Sequence, residues 1–182
     1  MSIENEFWSA CNKVDLDVVK YLMENYTDTL PNSMCKEITL YRLFYNGNLE
    51  IIKYLVKEYS DIIAHIILIR DNYGNTPLYW LCYRGNLDII RDLVRTCRDT
   101  VLSTLSLQNI YGETPLYRLC CHGNLDIIKY LVEEFKEIVI FTMSIPDTYG
   151  NKPFHILCAN GHLDIITYFI HNNIINESNI EV

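Results

Sequence analysis

Three stretches of this chain repeat one another at a fixed interval. Residues 73–90 read YGNTPLYWLCYRGNLDII, residues 111–128 read YGETPLYRLCCHGNLDII, and residues 149–166 read YGNKPFHILCANGHLDII. Each stretch begins 38 residues after the one before it. Self-similarity at such a period indicates an array of structural repeats, in which every copy forms the same small unit.

Earlier parts of the chain carry weaker copies of the same pattern. One more step of 38 residues back from Gly85 reaches Gly47, within TLYRLFYNGNLEII at residues 39–52. A fainter copy lies 33 residues before that, where LDVV at residues 16–19 matches LEII at residues 49–52. The sequence therefore predicts about five units, of which the first is degenerate.

Each unit predicts a pair of short helices. Thr76 is a good N-cap, and Pro77 occupies the first helical position, where a missing N–H is tolerated. Gly85 suits the left-handed turn that ends the first helix. Asn86 is expected to cap the second helix, and Asp88 in its first turn complements the helix dipole.

Both predicted helices have an apolar face. In the first helix Leu78, Leu81 and Cys82 fall at i, i+3 and i+4. No unit of this size can bury two such faces alone, so neighbouring units must stack and share one core. In the second helices the predicted core positions are Leu49/Ile52/Leu55/Val56, Leu87/Ile90/Leu93/Val94, Leu125/Ile128/Leu131/Val132 and Leu163/Ile166/Phe169/Ile170.

The repeated pattern G-x-T-P-L-x-x-L-C-x-x-G-[NH]-L-[DE]-I-I-x-x-L-V resembles the ankyrin repeat, and the resemblance covers roughly residues 5–173. It implies an all-α ankyrin-repeat solenoid of stacked antiparallel helix pairs with projecting loop tips. It also implies protein–protein interaction through a concave groove. We expect an array at 1–173, with units at about 5–35, 36–72, 73–110, 111–148 and 149–173, and a fraying tail at 174–182.

The later units are longer than an ankyrin unit of about 33 residues. The five extra residues fall between the second helix and the next loop tip. Because the first two members of a recurring apolar trio lie at i and i+4, we predict an extended second helix or an added helical turn. The trios are Ile63/Ile67/Ile69, Val101/Leu105/Leu107 and Val139/Met143/Ile145.

Composition excludes several classes of protein. Of the 182 residues 49% are hydrophobic and 21% are charged, so the chain is neither disordered nor of low complexity. Lys and Arg number 15 against 23 Asp and Glu, and the resulting net charge of −8 makes nucleic acid a poor partner. The longest apolar stretches are less than half of the roughly 18 residues that a membrane span requires, so no membrane partner is expected.

Cysteine usage indicates a reducing compartment. The chain has seven cysteines, an odd number, and Glu4 and Glu6 stand where a secretory signal would begin with basic residues. We therefore expect reduced thiols and a cytoplasmic location, in a host cell if the source is a virus or parasite.

The thiols are the first candidates for chemistry. Cys82, Cys120 and Cys158 occupy equivalent positions, which indicates a column of small core residues. Cys121, next to His122, is the one thiol worth testing as a nucleophile, which would need exposure and a low pKa. Catalysis is nevertheless not expected, and the chain is predicted to be no enzyme.

A second candidate is the H-x2-C-x3-H spacing of His155, Cys158 and His162, which superficially resembles a zinc site. Both histidines fall where the ankyrin pattern commonly has histidine for internal hydrogen bonds. We therefore expect no metal and no cofactor.

Positions at which the units differ are free to carry binding, whereas the recurring Tyr79 and Tyr117 are expected to support the stack. Tyr73, Tyr111 and Tyr149 also recur, which favours a scaffold, although exposure would make them contact residues as well. The predicted partner-binding residues are Arg42, Tyr45, Asn46, Asn72, Asn75, Trp80, Tyr83, Arg84, Ile110, Glu113, Arg118, Cys121, His122, Thr148, Asn151, Ile156 and Asn160.

The predicted function is that of a non-enzymatic, monomeric module that binds a protein partner. The first helices of units two to five contain no carboxylate but hold Arg42, Arg84 and Arg118, so the groove is expected to be neutral to mildly basic and to suit acidic and aromatic groups. The alternative is a homo-oligomer that associates through its terminal repeats, where Phe7 and Trp8 are expected to be exposed.

Overall fold

The computed structural model describes residues 2–26, 41–46 and 48–175. Within these ranges the chain forms eleven α-helices and no β-strand, which confirms the predicted all-α class. In chain order the helices are α1 (Ile3–Lys13), α2 (Leu16–Asn25), α3 (Tyr41–Asn46), α4 (Leu49–Glu58), α5 (Ser60–Ile66), α6 (Pro77–Arg84), α7 (Leu87–Thr104), α8 (Pro115–His122), α9 (Leu125–Thr142), α10 (Pro153–Asn160) and α11 (Leu163–His171).

The helices stack in two rows. The first helices of successive units pack in the order α3, α6, α8, α10, and the second helices in the order α2, α4, α7, α9, α11. Leu81, Leu119 and Leu157, which are equivalent in three units, are each fully buried in one continuous core. The predicted solenoid of stacked helix pairs is confirmed.

The predicted boundaries of the first helices are confirmed. Thr76 Oγ1 accepts the N–H of Tyr79 at 3.2 Å, and Thr114 Oγ1 accepts the N–H of Tyr117 at 3.1 Å. At the other end of α6, Gly85 has φ 73°, in the left-handed region that favours glycine.

The asparagine after the turn has a different role from the predicted one. Asn86 stands at the N-cap of α7, yet its side chain makes no capping hydrogen bond there. The equivalent Asn48 and Asn124 instead donate to the carbonyls of Cys11 (2.5 Å) and Cys82 (3.5 Å) in the preceding unit. The side chain links two units, because carbonyls near the end of a helix have capacity for another donor.

The apolar face of the second helix is also turned from its predicted position. Ile90, Leu93 and Val94 are buried as predicted, but Leu87 is only half-buried and Ile89 is buried in its place. The sequence Leu-Asp-Ile-Ile at the start of the helix is compatible with burial of either Leu87 or Ile89, and packing against the neighbouring unit buries Ile89.

Three predictions are wrong at the C-terminal end of the described stack: the apolar face of α11, the burial of Cys158 and the fraying of Ile174. Leu163 and Ile170 are 70% and 59% exposed and Cys158 is exposed, since no later unit of the described chain covers them. Ile174, predicted to fray, is fully buried and donates its N–H to the carbonyl of Phe169 at 2.9 Å. The rest of the predicted tail, 176–182, lies outside the described residues.

The five extra residues of each later unit extend its helical layer, as predicted. In unit two they form the separate helix α5, while α7 and α9 each run for 18 residues with a kink at Cys97 and Phe135. The first two residues of every predicted trio are buried and the third is half-buried. The added turn therefore packs on the stack.

On the second helices, a cation of one unit lies over a tyrosine ring of the next. Such cation–π contacts join units that are far apart in the chain. From charged group to ring centroid the pairs are Lys20–Tyr54 (5.6 Å), Arg91–Tyr130 (5.4 Å) and Lys129–Tyr168 (5.8 Å).

The loop tips are held by an acceptor side chain and joined to one another. Asp71 Oδ1 accepts the N–H groups of Tyr73 and Asn75, at 2.8 and 2.9 Å. The N–H of Ile110 then donates to the carbonyl of Tyr73 at 2.9 Å, which ties the second tip to the first. The same contact joins Thr148 to Tyr111 at 2.9 Å.

Asp147 holds the third tip and also bonds the preceding unit, since the Tyr117 hydroxyl donates to its Oδ2 at 2.6 Å. Burial alone would raise the pKa of Asp147, but hydrogen bonds from Tyr117, Asn151 and Tyr149 outweigh burial and lower the pKa. The ionised carboxylate is therefore favoured in the folded state.

Two tip glycines test how much the packing between tips stabilises the array. Gly112 and Gly150 have φ of 78° and 86°, so alanine is strained at both by about 1–2 kcal/mol. A Cβ at Gly112 would stand 2.8 Å from the backbone of Asp147, whereas a Cβ at Gly150 meets no described atom within 4 Å. We expect Gly112→Ala to lower the free energy of unfolding by about 3 kcal/mol or more, and Gly150→Ala by the strain alone. Urea unfolding measures both, and equal losses would contradict close packing of the tips.

Removal of the Tyr117 hydroxyl is expected to raise the pKa of Asp147. Because the folded-state pKa lies below the unfolded value of roughly 3.9, Asp147 adds stability above that pH and loses it as the pH falls through the folded pKa. Tyr117→Phe should therefore show a higher carboxyl midpoint in an NMR titration. Tyr79→Phe, which removes a hydroxyl bonded to Glu113, is the control and should leave the midpoint of Asp147 unchanged. An unchanged midpoint in Tyr117→Phe would refute this assignment.

Candidate functional site

One face of the array is built by the loop tips (71–75, 109–113 and 147–151) and the first helices α3, α6, α8 and α10; we call it the tip–helix surface. Tip and helix residues meet there around a hollow of about 300 Å³. The hollow is lined by Tyr73, Asn75, Tyr79, Trp80, Asn109, Tyr111, Glu113 and Arg118.

Aromatic rings run along the first helices next to the hollow. Trp80 lies in edge contact with Tyr45 and Tyr83, with centroids 4.7 and 5.7 Å apart, and Tyr83 meets the ring of His122 at 4.9 Å. These four side chains, from three successive units, are named the aromatic band. Edge-to-face contact is a favoured arrangement of aromatic rings, so the band is ordered by its own packing.

Two tyrosines of the loop tips form the outer wall of the hollow. The rings of Tyr73 and Tyr111 are stacked with centroids 6.4 Å apart, and they are 54% and 48% exposed. Tyr149, the third of the series, is 87% exposed. Their recurrence had favoured a scaffold, but Tyr73 and Tyr111 have both properties, because they stack on each other and also face solvent, whereas Tyr149 is mostly exposed.

A charged network closes the floor of the hollow. Arg118 donates to Glu113 Oε2 at 2.7 Å and to the Tyr79 hydroxyl at 2.8 Å, and that hydroxyl donates to Glu113. The side chains of Arg118 and Glu113 are only 22% and 17% exposed. Burial and then the bond to Glu113 raise the pKa of Tyr79 well above its usual range, so the phenol stays protonated. The positive charge of Arg118 is therefore already balanced.

Arg84 is fixed differently at the edge of the aromatic band. Its Nε donates to the carbonyl of Tyr45 at 2.8 Å, and its guanidinium carbon lies 5.3 Å from the Tyr45 ring centroid and 6.0 Å from that of Tyr83. The side chain is exposed. It carries the positive charge that the sequence predicted for this surface.

The predicted partner-binding residues separate into groups by exposure. The side chains of Arg42 and Asn46 lie outside the described part of the chain. Half-buried residues are Trp80, Glu113, Arg118, Cys121, Asn151 and Ile156. Exposed residues are Tyr45, Asn72, Tyr83, Arg84, Ile110, His122, Thr148 and Asn160.

Several of the predicted residues serve the stack. Asn75 is only 5% exposed and accepts from Asn109 at 2.9 Å, so it offers little surface to a partner. Trp80 Nε1 donates to Asp71 at 3.1 Å. Asn160 donates to the carbonyl of Cys121 at 3.2 Å while its side chain remains exposed.

The thiol and histidines considered above for catalysis or metal binding have surroundings that fit a structural role. Burial raises the pKa of the Cys121 thiol to about 11, with Arg118 opposing the rise, so the thiol is protonated at neutral pH. His155 Nδ1 accepts the N–H of Lys152 at 3.0 Å, and His162 Nε2 lies 3.3 Å from the carbonyl of Cys121. Among the residues that the structure describes, no three His, Cys, Asp or Glu side chains converge as metal ligands.

The N-terminal unit does not expose the aromatic pair predicted for self-association. Phe7 is fully buried, and Trp8 is half-buried against it with ring centroids 5.1 Å apart. That prediction was wrong, because α1 and α2 bury Phe7 in the continuous core of the array, together with Ala10, Cys11 and Val19.

No helix in the described ranges has the length and apolar character needed to cross a bilayer.

Comparison with known proteins agrees with the repeat geometry. A family model described as ankyrin repeats (3 copies) matches residues 7–104 and residues 96–180. A search of curated proteins finds no match to this chain. Because the matched ranges together run from residue 7 to residue 180, and the units stack as helix pairs with projecting tips, the chain belongs to the ankyrin-repeat family.

Proposed function

We propose that this chain binds a protein partner across the tip–helix surface, with the aromatic band at the centre of the contact. Ankyrin repeats generally mediate protein–protein interactions. The observation that carries the proposal for this particular surface is the aromatic band itself. It places Tyr45 and Tyr83, which are 41% and 39% exposed, on either side of Trp80.

The band has the properties of a binding hot spot. Trp, Tyr and Arg are the residue types that most often dominate binding energy at protein interfaces. Here the rings hold one another in place and Arg84 is tied to the backbone of Tyr45. Little side-chain freedom remains to be lost on binding, which leaves more of the contact energy for affinity.

A binding role fits the surface better than a catalytic one. The Cys121 thiol has a pKa of about 11, so it lacks the thiolate that nucleophilic catalysis requires. His122, next to it, has a lowered pKa through burial and the charges of Arg118 and His162. We propose that both belong to the contact surface as neutral groups.

The proposed setting is the cytoplasm, with the chain acting as a monomer. All six cysteines of the described ranges are free thiols, and three of them are buried. Free thiols persist in reducing compartments, which supports this location. Self-association through the first unit has lost its support, since Phe7 is buried.

Loss of one exposed ring is expected to remove the partner. Affinity purification from the native host with Tyr83→Ala as bait should lose the specific partner, because a hot-spot ring contributes about 2 kcal/mol or more. The matched control is Tyr21→Ala, which removes a ring 59% exposed on the second helix α2. Circular dichroism checks that both variants are folded. Equal recovery of every specific partner by the wild type and by Tyr83→Ala would reject the surface.

A further inference from the structure

Arg84 is held by the protein without having its charge neutralised. The guanidinium lies beside the rings of Tyr45 and Tyr83, and the Nε–H bond to the Tyr45 carbonyl fixes its orientation at 2.8 Å. Its two Nη groups meet no carboxylate within the described ranges. The charged end of this side chain is thus ordered, exposed and still able to donate.

Arg70 and Arg91 also meet no carboxylate in the described ranges, but Arg70 donates to the carbonyl of Gln108 and Arg91 lies on a second helix, over the ring of Tyr130. Three further arginines contrast with Arg84. Arg118 bonds Glu113, Arg98 bonds Glu134, and Arg95 lies 3.4 Å from Asp92. Of these, only Arg118 lies on the tip–helix surface, and it is mostly buried. On an acidic chain of net charge −8, an ordered arginine without a carboxylate is available to an anion from outside.

We propose that Arg84 is the anchor for an aspartate or glutamate carboxylate of the bound protein, which it takes in a paired contact through its Nη groups. This inference rests on the proposed function, because it names the group that the partner must present to the same surface. A planar guanidinium matches a carboxylate with two parallel hydrogen bonds. The stacking against Tyr45 and the bond through Nε leave the Nη edge free for this geometry.

The surroundings favour a carboxylate over a phosphate. A phosphate group carries nearly two negative charges, and its binding sites usually supply more than one cation or a row of backbone N–H groups. Arg118, whose guanidinium lies 5.7 Å from the centroid of the same Tyr83 ring, is committed to Glu113 and Tyr79. His122, which also meets that ring, is kept neutral by a lowered pKa. The single charge of Arg84 suits one carboxylate.

The test uses a display library of random dodecapeptides, which needs no knowledge of the natural partner. The full-length protein is panned, binders that Tyr83→Ala releases are kept, and their affinities are measured by calorimetry. We expect these peptides to be enriched in Asp or Glu beside aromatic residues. We expect Arg84→Gln to weaken the best of them about tenfold, which corresponds to roughly 1.4 kcal/mol, and Arg84→Lys to recover only part of the loss.

Two controls separate charge pairing from general effects. Arg95→Gln makes the same change of charge on the second helix of the same unit, where the side chain is 75% exposed, and should leave affinity unchanged. Replacement of the peptide carboxylate by its amide should cost about tenfold in the wild type and nothing more in Arg84→Gln. Such a double-mutant cycle measures the pair itself.

The outcomes distinguish this inference from the function on which it rests. Peptides that require Tyr83 but bind Arg84→Gln as well as the wild type would overturn the carboxylate anchor and leave the surface standing. Enrichment of basic peptides, or of phosphorylated over carboxylate versions of the best peptide, would overturn it too. A library that gives no Tyr83-dependent binder would count against both proposals.

Discussion

The structure depends on the contact that each unit makes with the turn of the unit before it. At Gly123 the chain passes so close to the next unit that a Cβ would stand 2.5 Å from the His162 ring. The same ring reaches the carbonyl of Cys121, as Asn48 and Asn124 reach their own neighbours. Glycine supplies both the left-handed turn and the space, and the next side chain uses that space. Without this approach the apolar faces of the helices would have no partner.

The residues that join the units also form the tip–helix surface. Tyr79 and Glu113 belong to different units, and their bond with Arg118 sets the floor of the hollow. Trp80 similarly contacts Tyr45 of the preceding unit. Rigidity of the surface is therefore a property of the stack, and a substitution at these positions changes the fold and the surface together. The exposed rings and Arg84 contribute to the surface with the least effect on the packing between units.

Local chemistry made the fold predictable, whereas contacts between units did not. Thr76 and Gly85 act through their own helix, so a single copy of the repeat indicates their roles. Asn86 was given a local role as a cap, because the bonds that its equivalents Asn48 and Asn124 make to the preceding unit leave no trace in neighbouring residues. Arg118 counted toward a mildly basic groove because its bond to Tyr79, 39 residues earlier in the chain, cannot be recognised within one unit. Its second partner, Glu113, lies only five residues away on the loop tip of the same unit. The repeat pattern also gave the last described unit the same core positions as the others, although Leu163 is exposed there.

Recurrence of a residue in successive units did not show whether its side chain packs between units or faces solvent. Exposure and charge supply the missing information. Tyr79 and Tyr73 both recur in the next unit, yet one is 4% exposed and the other 54%. The described part of the surface they flank offers aromatic area and the unpaired guanidinium of Arg84, on a chain whose net charge is −8. A highly acidic partner would be repelled by the rest of the chain at long range. The proposed partner therefore combines an isolated carboxylate with apolar or aromatic neighbours, because only such a segment gains the local pair without the general repulsion.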